Sequence, residues 1–169
     1  MKNLYDISVI ICNYNHEKWL ERTIRSLLRQ QYIEQNEYEI IIVDDHSTDH
    51  SREVLKKFKN FNNIKIIFNK KNIGLPSSIN KAIKSSFGRY IVRVDSDDYV
   101  SKNFLFFLKF FLLHNKEYQA VACDYLQVDE KEKILRRVKF SSEEIACGIM
   151  FRRECLFDLG LYNSKFKMR

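Results

Sequence analysis

Three carboxylates fall within four residues of the 169-residue chain, at Asp95, Asp97 and Asp98. Like charges this close repel one another unless a cation or hydrogen-bond donors compensate. Oxygen ligands select hard cations, and magnesium commonly bridges one or two carboxylates to the phosphates of a substrate. The spacing therefore predicts a divalent metal site that serves a phosphorylated ligand.

Three further polar clusters each follow a β-type apolar run, as the Asp95 cluster does. They are Asn13-Tyr14-Asn15, Asp44-Asp45-His46-Ser47 and Lys70-Lys71-Asn72. A single cluster of this kind is usually an Asx turn or a helix cap. In an open parallel sheet, however, ligands bind beyond the carboxyl ends of the strands. Four such clusters at one edge predict a shared binding site.

The apolar patterns predict the elements that position these clusters. Strands are expected at Ile7–Cys12, Tyr38–Asp44, Ile64–Asn69 and Tyr90–Asp95. Helices are expected at Glu17–Gln31 with Asn15 as cap, after a Ser47 or Thr48 cap, and from Pro76 to a stop at Gly88. This alternation predicts an α/β fold, a mostly parallel mixed sheet with helices on both faces.

The second half of the chain is less regular. Gln119–Val128 and Lys133–Phe140 are predicted to form strands around a polar turn, as an antiparallel edge of the same sheet. Phe104–Leu113 is too short to span a bilayer and predicts a buried helix, with contact to a membrane surface or a partner as the alternative. Without repeats or linkers, residues 1–169 are expected to form one domain.

Composition narrows the range of partners. The net charge of +7 favours anionic ligands without selecting one. The aromatic residues lie mostly in apolar stripes, which argues against nucleic-acid binding. Residues 1–6 lack the apolar core of a secretory signal, and the four cysteines show no metal-ligand spacing. A cytoplasmic protein with reduced thiols is expected.

Several segments resemble motifs of the inverting, nucleotide-sugar-dependent glycosyltransferases of family 2, whose Rossmann-like fold is called GT-A. The similar segments are Ile7–Asn15, Val43–Asp49, Asn72–Asn80 and Val94–Asp98, and the resemblance runs from Ile7 to Arg169. The chain departs from the family at three positions, with His46 where glycine is common, Ile79 where many members carry arginine, and Lys102 where proline is frequent.

The resemblance implies roles for individual residues. Tyr14 would lie against the nucleobase, Asp45 at a base nitrogen, Asn72 in the nucleotide-sugar site, Asp95 near the ribose, and Asp97 on a magnesium or manganese ion. An acceptor at Asp45 would favour uracil, and hence a UDP-sugar donor. The sugar acceptor would be a glycan or a lipid-linked molecule, reached at the cytoplasmic face of the membrane.

The resemblance also concerns the acceptor side and the catalytic base. Gly148–Arg153 resembles the segment that lines the acceptor side, with an ordinary buried strand as the alternative.

An inverting transferase needs a general base. The family's carboxylate would come after the stretch Leu161–Arg169, so it is expected beyond Arg169, and donor binding without efficient turnover is expected of this chain. Glu154 and Asp158 precede that stretch and are assigned no role.

Two other classes share parts of this pattern. A nucleotidyltransferase also carries a metal-binding Asp pair, but it needs a Gly-rich basic loop after the first strand, where this chain has Asn13-Tyr14-Asn15-His16. A non-enzymatic phospho-acceptor signalling domain would place its acidic pair after the first strand, whereas Asp44-Asp45 follows the second.

Overall fold

The computed structural model describes residues 5–165, so residues 1–4 and 166–169 and the predictions that involve them lie outside the described part. The strands are β1 (Tyr5–Asn13), β2 (Tyr38–Asp44), β3 (Ile64–Phe68), β4 (Gly88–Arg93), β5 (Ala120–Val121), β6 (Tyr125–Val128), β7 (Ile134–Val138) and β8 (Met150–Arg152). The helices are α1 (Glu17–Leu28), α2 (Ser51–Lys56), α3 (Leu75–Lys84), α4 (Phe104–His114) and α5 (Arg153–Asp158).

A six-stranded sheet in the order β3-β2-β1-β4-β8-β5 forms the centre of the fold. The first four strands are parallel to their neighbours, and β8 runs antiparallel to β4 and β5. All seven residues of β2 are buried, because a parallel strand covered on both faces needs apolar side chains on both. The predicted mostly parallel mixed sheet is confirmed.

Helices cover both faces of this sheet. On one face, Leu20 and Ile24 of α1 and Leu105 and Leu108 of α4 pack in one apolar cluster. On the other face, Ile79, Ala82 and Ile83 of α3 and Leu156 of α5 pack against Ile10 and Ile41. These two clusters fix the sheet between the helices, so the ends of the parallel strands form a rigid edge.

The prediction that one sheet contains all the strands is wrong. β6 and β7 pair only with each other in a separate two-stranded sheet. Four of the five residues of β7 are exposed, Ile134 and Leu135 among them, so the hairpin does not bury these apolar side chains against the main sheet. The predicted strand Gln119–Val128 is split into β5 and β6, and Met150–Arg152 supplies the antiparallel strand beside β4.

Two predicted helix ends also differ from the structure. α1 ends at Leu28 and not at Gln31, and α3 ends at Lys84, before Gly88. Gly88 begins β4, where an added Cβ would lie 2.4 Å from the backbone nitrogen of Ser8. Glycine is therefore required by the close approach of β4 to β1 and does not act as a helix stop.

The predicted helix caps are not formed either. The residues directly before α1 and α2 are His16 and His50, and neither makes a side-chain capping hydrogen bond. The carboxylate of Asp49 instead accepts the first N–H of each helix, that of Glu17 at 2.9 Å and that of Ser51 at 3.0 Å. Asn15 adopts a left-handed backbone, with φ of 58°, and its Oδ1 accepts the Thr48 N–H at 2.7 Å. Its side chain thus joins the loops after β1 and β2.

Candidate functional site at the carboxyl edge of the sheet

The structure brings the five predicted site residues to one edge. Tyr14 follows β1, Asp45 follows β2, Asn72 follows β3, and Asp95 and Asp97 follow β4. Because these four strands are parallel neighbours, their carboxyl ends meet there. Tyr14 is 47% exposed and Asn72 is exposed, so both can contact a ligand.

The loop after β2 is held by a buried polar network. Asn13 Nδ2 donates to Asp44 Oδ1 and to Ser47 Oγ, each at 3.0 Å. Asp44 is fully buried and also accepts from the Ser47 backbone N–H and from Arg52 Nε. Buried charges need such partners, so Asp44 has a structural role.

Asp45 organises the loop between β3 and α3. Its carboxylate accepts hydrogen bonds from Asn69 Nδ2 at 2.8 Å, from the Ile73 N–H at 2.9 Å and from the Gly74 N–H at 2.8 Å. A carboxylate offers about four acceptor positions. Asp45 is 4% exposed and has three positions filled, so a contact with a base nitrogen would be limited to the remaining position on Oδ2.

The turn from Asp95 to Asp98 is fastened to α1 by side chains from that helix. The Thr23 hydroxyl, which has one hydrogen to donate, lies within hydrogen-bonding distance of the carbonyl oxygens of Ser96 and Asp98, and Arg22 Nη2 donates to that of Asp97 at 2.7 Å. His16 Nδ1 lies 2.8 Å from Ser96 Oγ. These contacts set the direction of the carboxylates before any ligand arrives.

The three carboxylates of this turn have different partners. Asp95 Oδ1 accepts from Arg93 Nε at 2.6 Å. Asp98 interacts with the thiol of Cys147; desolvation, together with repulsion from Asp95 and Asp97, raises its pKa although the residue is exposed overall. Asp97 is half exposed, and its nearest basic partner among residues 5–165 is His16, at 4.0 Å. Asp97 is thus the carboxylate most available to a cation.

Asp95, Asp98 and Cys147 also lie close enough together to hold a metal ion, since one ligand atom from each falls within 4.8 Å of the others. Burial and the neighbouring carboxylates raise the pKa of the Cys147 thiol, which disfavours the thiolate that binds metals. Hard cations prefer oxygen. Asp97 therefore fits a magnesium or manganese ion better than this group does.

Sequence reasoning missed Arg93 and Cys147 as parts of this edge. Cys147 accepts the Asp95 backbone N–H at 3.4 Å from a position 52 residues further along the chain. No local pattern signals that contact, because it depends on the pairing of β8 with β4. Arg93 could have been found, since a charged residue directly after the apolar run Tyr90–Val92 needs a buried partner.

The remaining predicted segments lie elsewhere. Gly148–Arg153 contains β8, where Arg152 Nη2 donates to the carbonyl oxygen of Leu112 at the end of α4. Arg153 donates to Ser86 Oγ and contacts the end of α3, at the edge opposite the carboxylates. The adjacent Glu154 lies in the first turn of α5, at that opposite edge.

Comparison with known proteins decides the family. Residues 8–165 match the family described as Glycosyl transferase family 2. The chain belongs to this family. Poly(ribitol-phosphate) beta-N-acetylglucosaminyltransferase TarS of Staphylococcus aureus is 37% identical over 99 residues, which cover 58% of this chain and 17% of that protein. An uncharacterized glycosyltransferase of Haemophilus influenzae is 34% identical over 132 residues, which cover 76% of this chain and 39% of that protein.

Solved structures confirm the GT-A fold predicted from the family 2 motifs. The crystal structure of S. aureus TarS 1-349 in complex with UDP superposes with a TM-score of 0.81 at 24% identity, over 96% of this chain and 51% of that chain. Mannosyltransferase PcManGT from Pyrobaculum calidifontis, in complex with GDP-Man and Mn2+, superposes with a TM-score of 0.76 at 19% identity, over 94% of this chain and 47% of that chain. The chain thus spans about half of these structures and less of the two curated relatives above.

Proposed function

We propose that this family 2 domain binds a nucleotide diphosphate sugar, with uridine diphosphate as the nucleotide, and transfers the sugar with inversion. The observation that carries the proposal is the convergence of Tyr14, Asp45, Asn72, Asp95 and Asp97 at one sheet edge. The aromatic ring of Tyr14 suits contact with a nucleobase. The Asp45 carboxylate, with one acceptor position left, suits the polar edge of that base, and the available Asp97 carboxylate suits a metal-bound diphosphate.

A divalent cation at Asp97 is part of this proposal. Magnesium or manganese would bridge Asp97 to the donor phosphates and neutralise charge on the leaving diphosphate. The half-exposed Asp97 carboxylate supports this role, because Arg93 and Cys147 engage its two acidic neighbours. The Mn2+ and GDP-Man bound by PcManGT and the UDP bound by TarS support it by analogy.

For the acceptor, we propose a glycan or a lipid-linked glycan at the cytoplasmic face of a membrane. TarS is named for poly(ribitol-phosphate). A cholesterol galactosyltransferase of Borreliella burgdorferi, 36% identical over 101 residues, is named for a lipid. That match covers 60% of this chain and 27% of that protein. These names span both acceptor types and favour neither.

The outer face of α4 supports peripheral membrane association. Phe107, Phe110 and Leu113 are exposed, and α4 contains no acidic residue. Lys102 and Lys116 lie exposed just beyond its two ends. Aromatic side chains beside cations suit the headgroup region of an anionic bilayer. Among the described residues, no helix combines the length and apolar character needed to cross a bilayer.

Calorimetric titration with UDP and GDP, each with manganese, magnesium or a chelator, tests the donor proposal. We expect UDP to bind more tightly than GDP and to need the metal. Binding that is equal in the chelator would contradict the metal site, and failure of UDP to bind under any condition would refute the donor assignment.

A further inference from the structure

Arg93 is a buried cation beside the proposed ribose contact. It ends β4 with 9% of its surface exposed, and its Nε donates to Asp95 Oδ1 at 2.6 Å. Its Nη1 is buried and has no hydrogen-bond partner among the described residues. A buried donor without an acceptor costs about 1–3 kcal/mol. The fold therefore keeps an arginine that is poorly matched to its surroundings.

Among residues 5–165, the ion pair of this guanidinium is with Asp95, and its other titratable neighbours supply no second counter-charge. Burial raises the pKa of Cys12 to about 12 and raises that of Tyr162, although the charge of Arg93 opposes both shifts. Both groups therefore stay neutral near pH 7. The carboxylate to which Arg93 is hydrogen-bonded is that of Asp95.

Asp95 does not need Arg93 in order to be solvated. Its side chain is 34% exposed, so water can reach the carboxylate if the arginine is removed. Breaking a buried pair is costly when it leaves a buried charge behind. Removal of Arg93 leaves none, whereas removal of Asp95 would leave the buried Arg93 unpaired. Loss of Arg93 should therefore cost little stability, and the geometric effect of the pair is to fix Asp95 Oδ1 and leave Oδ2 without a hydrogen bond from residues 5–165.

We propose that Arg93 is a positioning residue of the donor site, which holds Asp95 so that its free oxygen accepts a hydrogen bond from a ribose hydroxyl of the nucleotide. This inference rests on the proposed donor function and adds a residue to it. Asn80 supports the same wall of the site, because its side chain makes two hydrogen bonds to the backbone of Tyr162, at 2.7 and 2.9 Å.

The test compares UDP with 2′-deoxy-UDP and 3′-deoxy-UDP in the wild type, Arg93→Met, Asp95→Asn and the double variant, with manganese present. A hydrogen bond to a charged group discriminates by about tenfold or more. We expect the wild type to bind one of the deoxy analogues about tenfold more weakly than UDP. Arg93→Met and Asp95→Asn should each reduce this ratio to near one, and the double variant should add nothing.

Stability and two control variants separate positioning from a structural role. Arg93→Met should unfold at the same urea concentration as the wild type or a higher one, because methionine fills the site without an unmatched donor. Arg93→Lys should recover part of the ribose preference, and Arg89→Met, an exposed arginine of the same strand, should change neither property.

The outcomes are distinct. If the wild type binds UDP and Arg93→Met keeps both its affinity and its ribose preference, the role of Arg93 is refuted while the donor proposal stands. A wild type that binds UDP but prefers it to neither deoxy analogue also refutes the role of Arg93. Failure of the wild type to bind UDP refutes both.

Discussion

The three aspartates after β4 differ in what surrounds them more than in their position. Asp95 is hydrogen-bonded to Arg93, Asp98 interacts with Cys147, and Asp97 is half exposed beside His16. Sequence reasoning treated them as one charged cluster that a cation would compensate. In the structure Arg93 compensates Asp95, whereas desolvation raises the pKa of Asp98 and disfavours its charged form, so the effect of a cation should depend mainly on Asp97.

Asp97→Asn is therefore expected to abolish the metal dependence of UDP binding. The amide keeps the size of the side chain but removes the charge that attracts a hard cation. Affinity for UDP in manganese should fall to the value measured for the wild type in chelator, as titration calorimetry would show. Glu154→Gln removes one charge at the opposite edge and should change nothing. An unchanged affinity in Asp97→Asn would place the metal elsewhere.

Asp45→Asn should weaken both the fold and nucleoside binding. An amide presents an N–H₂ group where Asp45 now accepts, so a donor from Asn69, Ile73 or Gly74 would lose its partner. We expect a loss of about 1–3 kcal/mol in the free energy of unfolding, measured in urea. Uridine affinity should also fall, because the loop that carries Asn72 loses its anchor.

The exposed Asp158 provides the matched control. Asp158→Asn should leave the urea midpoint and the uridine affinity at their wild-type values. If Asp45→Asn behaves in the same way as Asp158→Asn, the three hydrogen bonds to Asp45 do not hold this loop.

At the scale of elements, the parallel strands and their helices could be predicted because their signals are local. β2 is seven buried residues in a row, and α3 presents Ile79, Ala82 and Ile83 on one face. The helix caps could not be predicted, because the Asn15 side chain forms a hydrogen bond with the loop that follows β2 and does not cap α1. The hairpin β6–β7 was placed wrongly because its pattern of strand-forming residues does not reveal what the strands pair with.

In the candidate site, too, the features that could be predicted are local in sequence, and those that could not depend on contacts between distant segments. Each predicted site residue lies in the loop that follows a parallel strand, so the topology alone brings all five to one edge. Cys147 acts through a contact that depends on the pairing of β8 with β4, and a pattern within one segment cannot reveal that contact. The number of available carboxylates could not be predicted for the same reason.

α4 is attached to the sheet by a lysine inside its apolar sequence. Lys109 Nζ lies 2.5 Å from Asp6 and 2.6 Å from Glu37. Burial alone would lower the pKa of Lys109, but the hydrogen bonds to Asp6 and Glu37 outweigh it and raise that pKa. Burial alone would raise the pKa of Glu37, and the hydrogen bonds from Lys109 and the Glu34 backbone instead lower it.

The lowered pKa of Glu37 means that its contribution to stability is present above its unfolded pKa, about 4.3, and is lost as the pH falls through the lower folded value. The raised pKa of Lys109 means that its contribution is present below its unfolded pKa, about 10.4, and is lost as the pH rises through the higher folded value. The difference in free energy of unfolding between the wild type and Lys109→Met should thus stay constant near neutral pH.

Urea unfolding of both proteins between about pH 3 and pH 8 checks this expectation. The wild type should lose stability relative to Lys109→Met below about pH 4, by an amount on the order of 1 kcal/mol. Lys65→Met, at an exposed position of β3, should show no such change. A difference between wild type and Lys109→Met that does not vary with pH would show that the pairs contribute nothing.

At the scale of the whole molecule, the ligand edge and the exposed apolar surface belong to different parts of the fold. Polar loops after β1 to β4 form the edge, whereas the exposed aromatic side chains of α4, Phe107, Phe110 and Phe111, face outward from the sheet. Phe106 stacks against Phe110 at 5.8 Å, and the exposed Tyr32 packs against Phe106 at 5.5 Å. An enzyme that binds a membrane through this surface would keep its donor site open to solvent.

Phe107→Ser with Phe110→Ser tests this arrangement. The wild type should sediment with vesicles of phosphatidylcholine and phosphatidylglycerol more than with phosphatidylcholine alone, because Lys102, Lys116 and the net charge of +7 favour anionic lipid. Inserting a phenylalanine side chain gains about 1.5–3 kcal/mol, so the double variant should bind at least about tenfold more weakly. Phe87→Ser, an exposed phenylalanine outside α4, should bind as the wild type does. UDP affinity should be the same in all three proteins, because the donor edge is not altered.

Equal vesicle binding by the double variant would contradict the proposal, and a wild-type dimer that the double variant abolishes would assign this surface to a second copy of the chain.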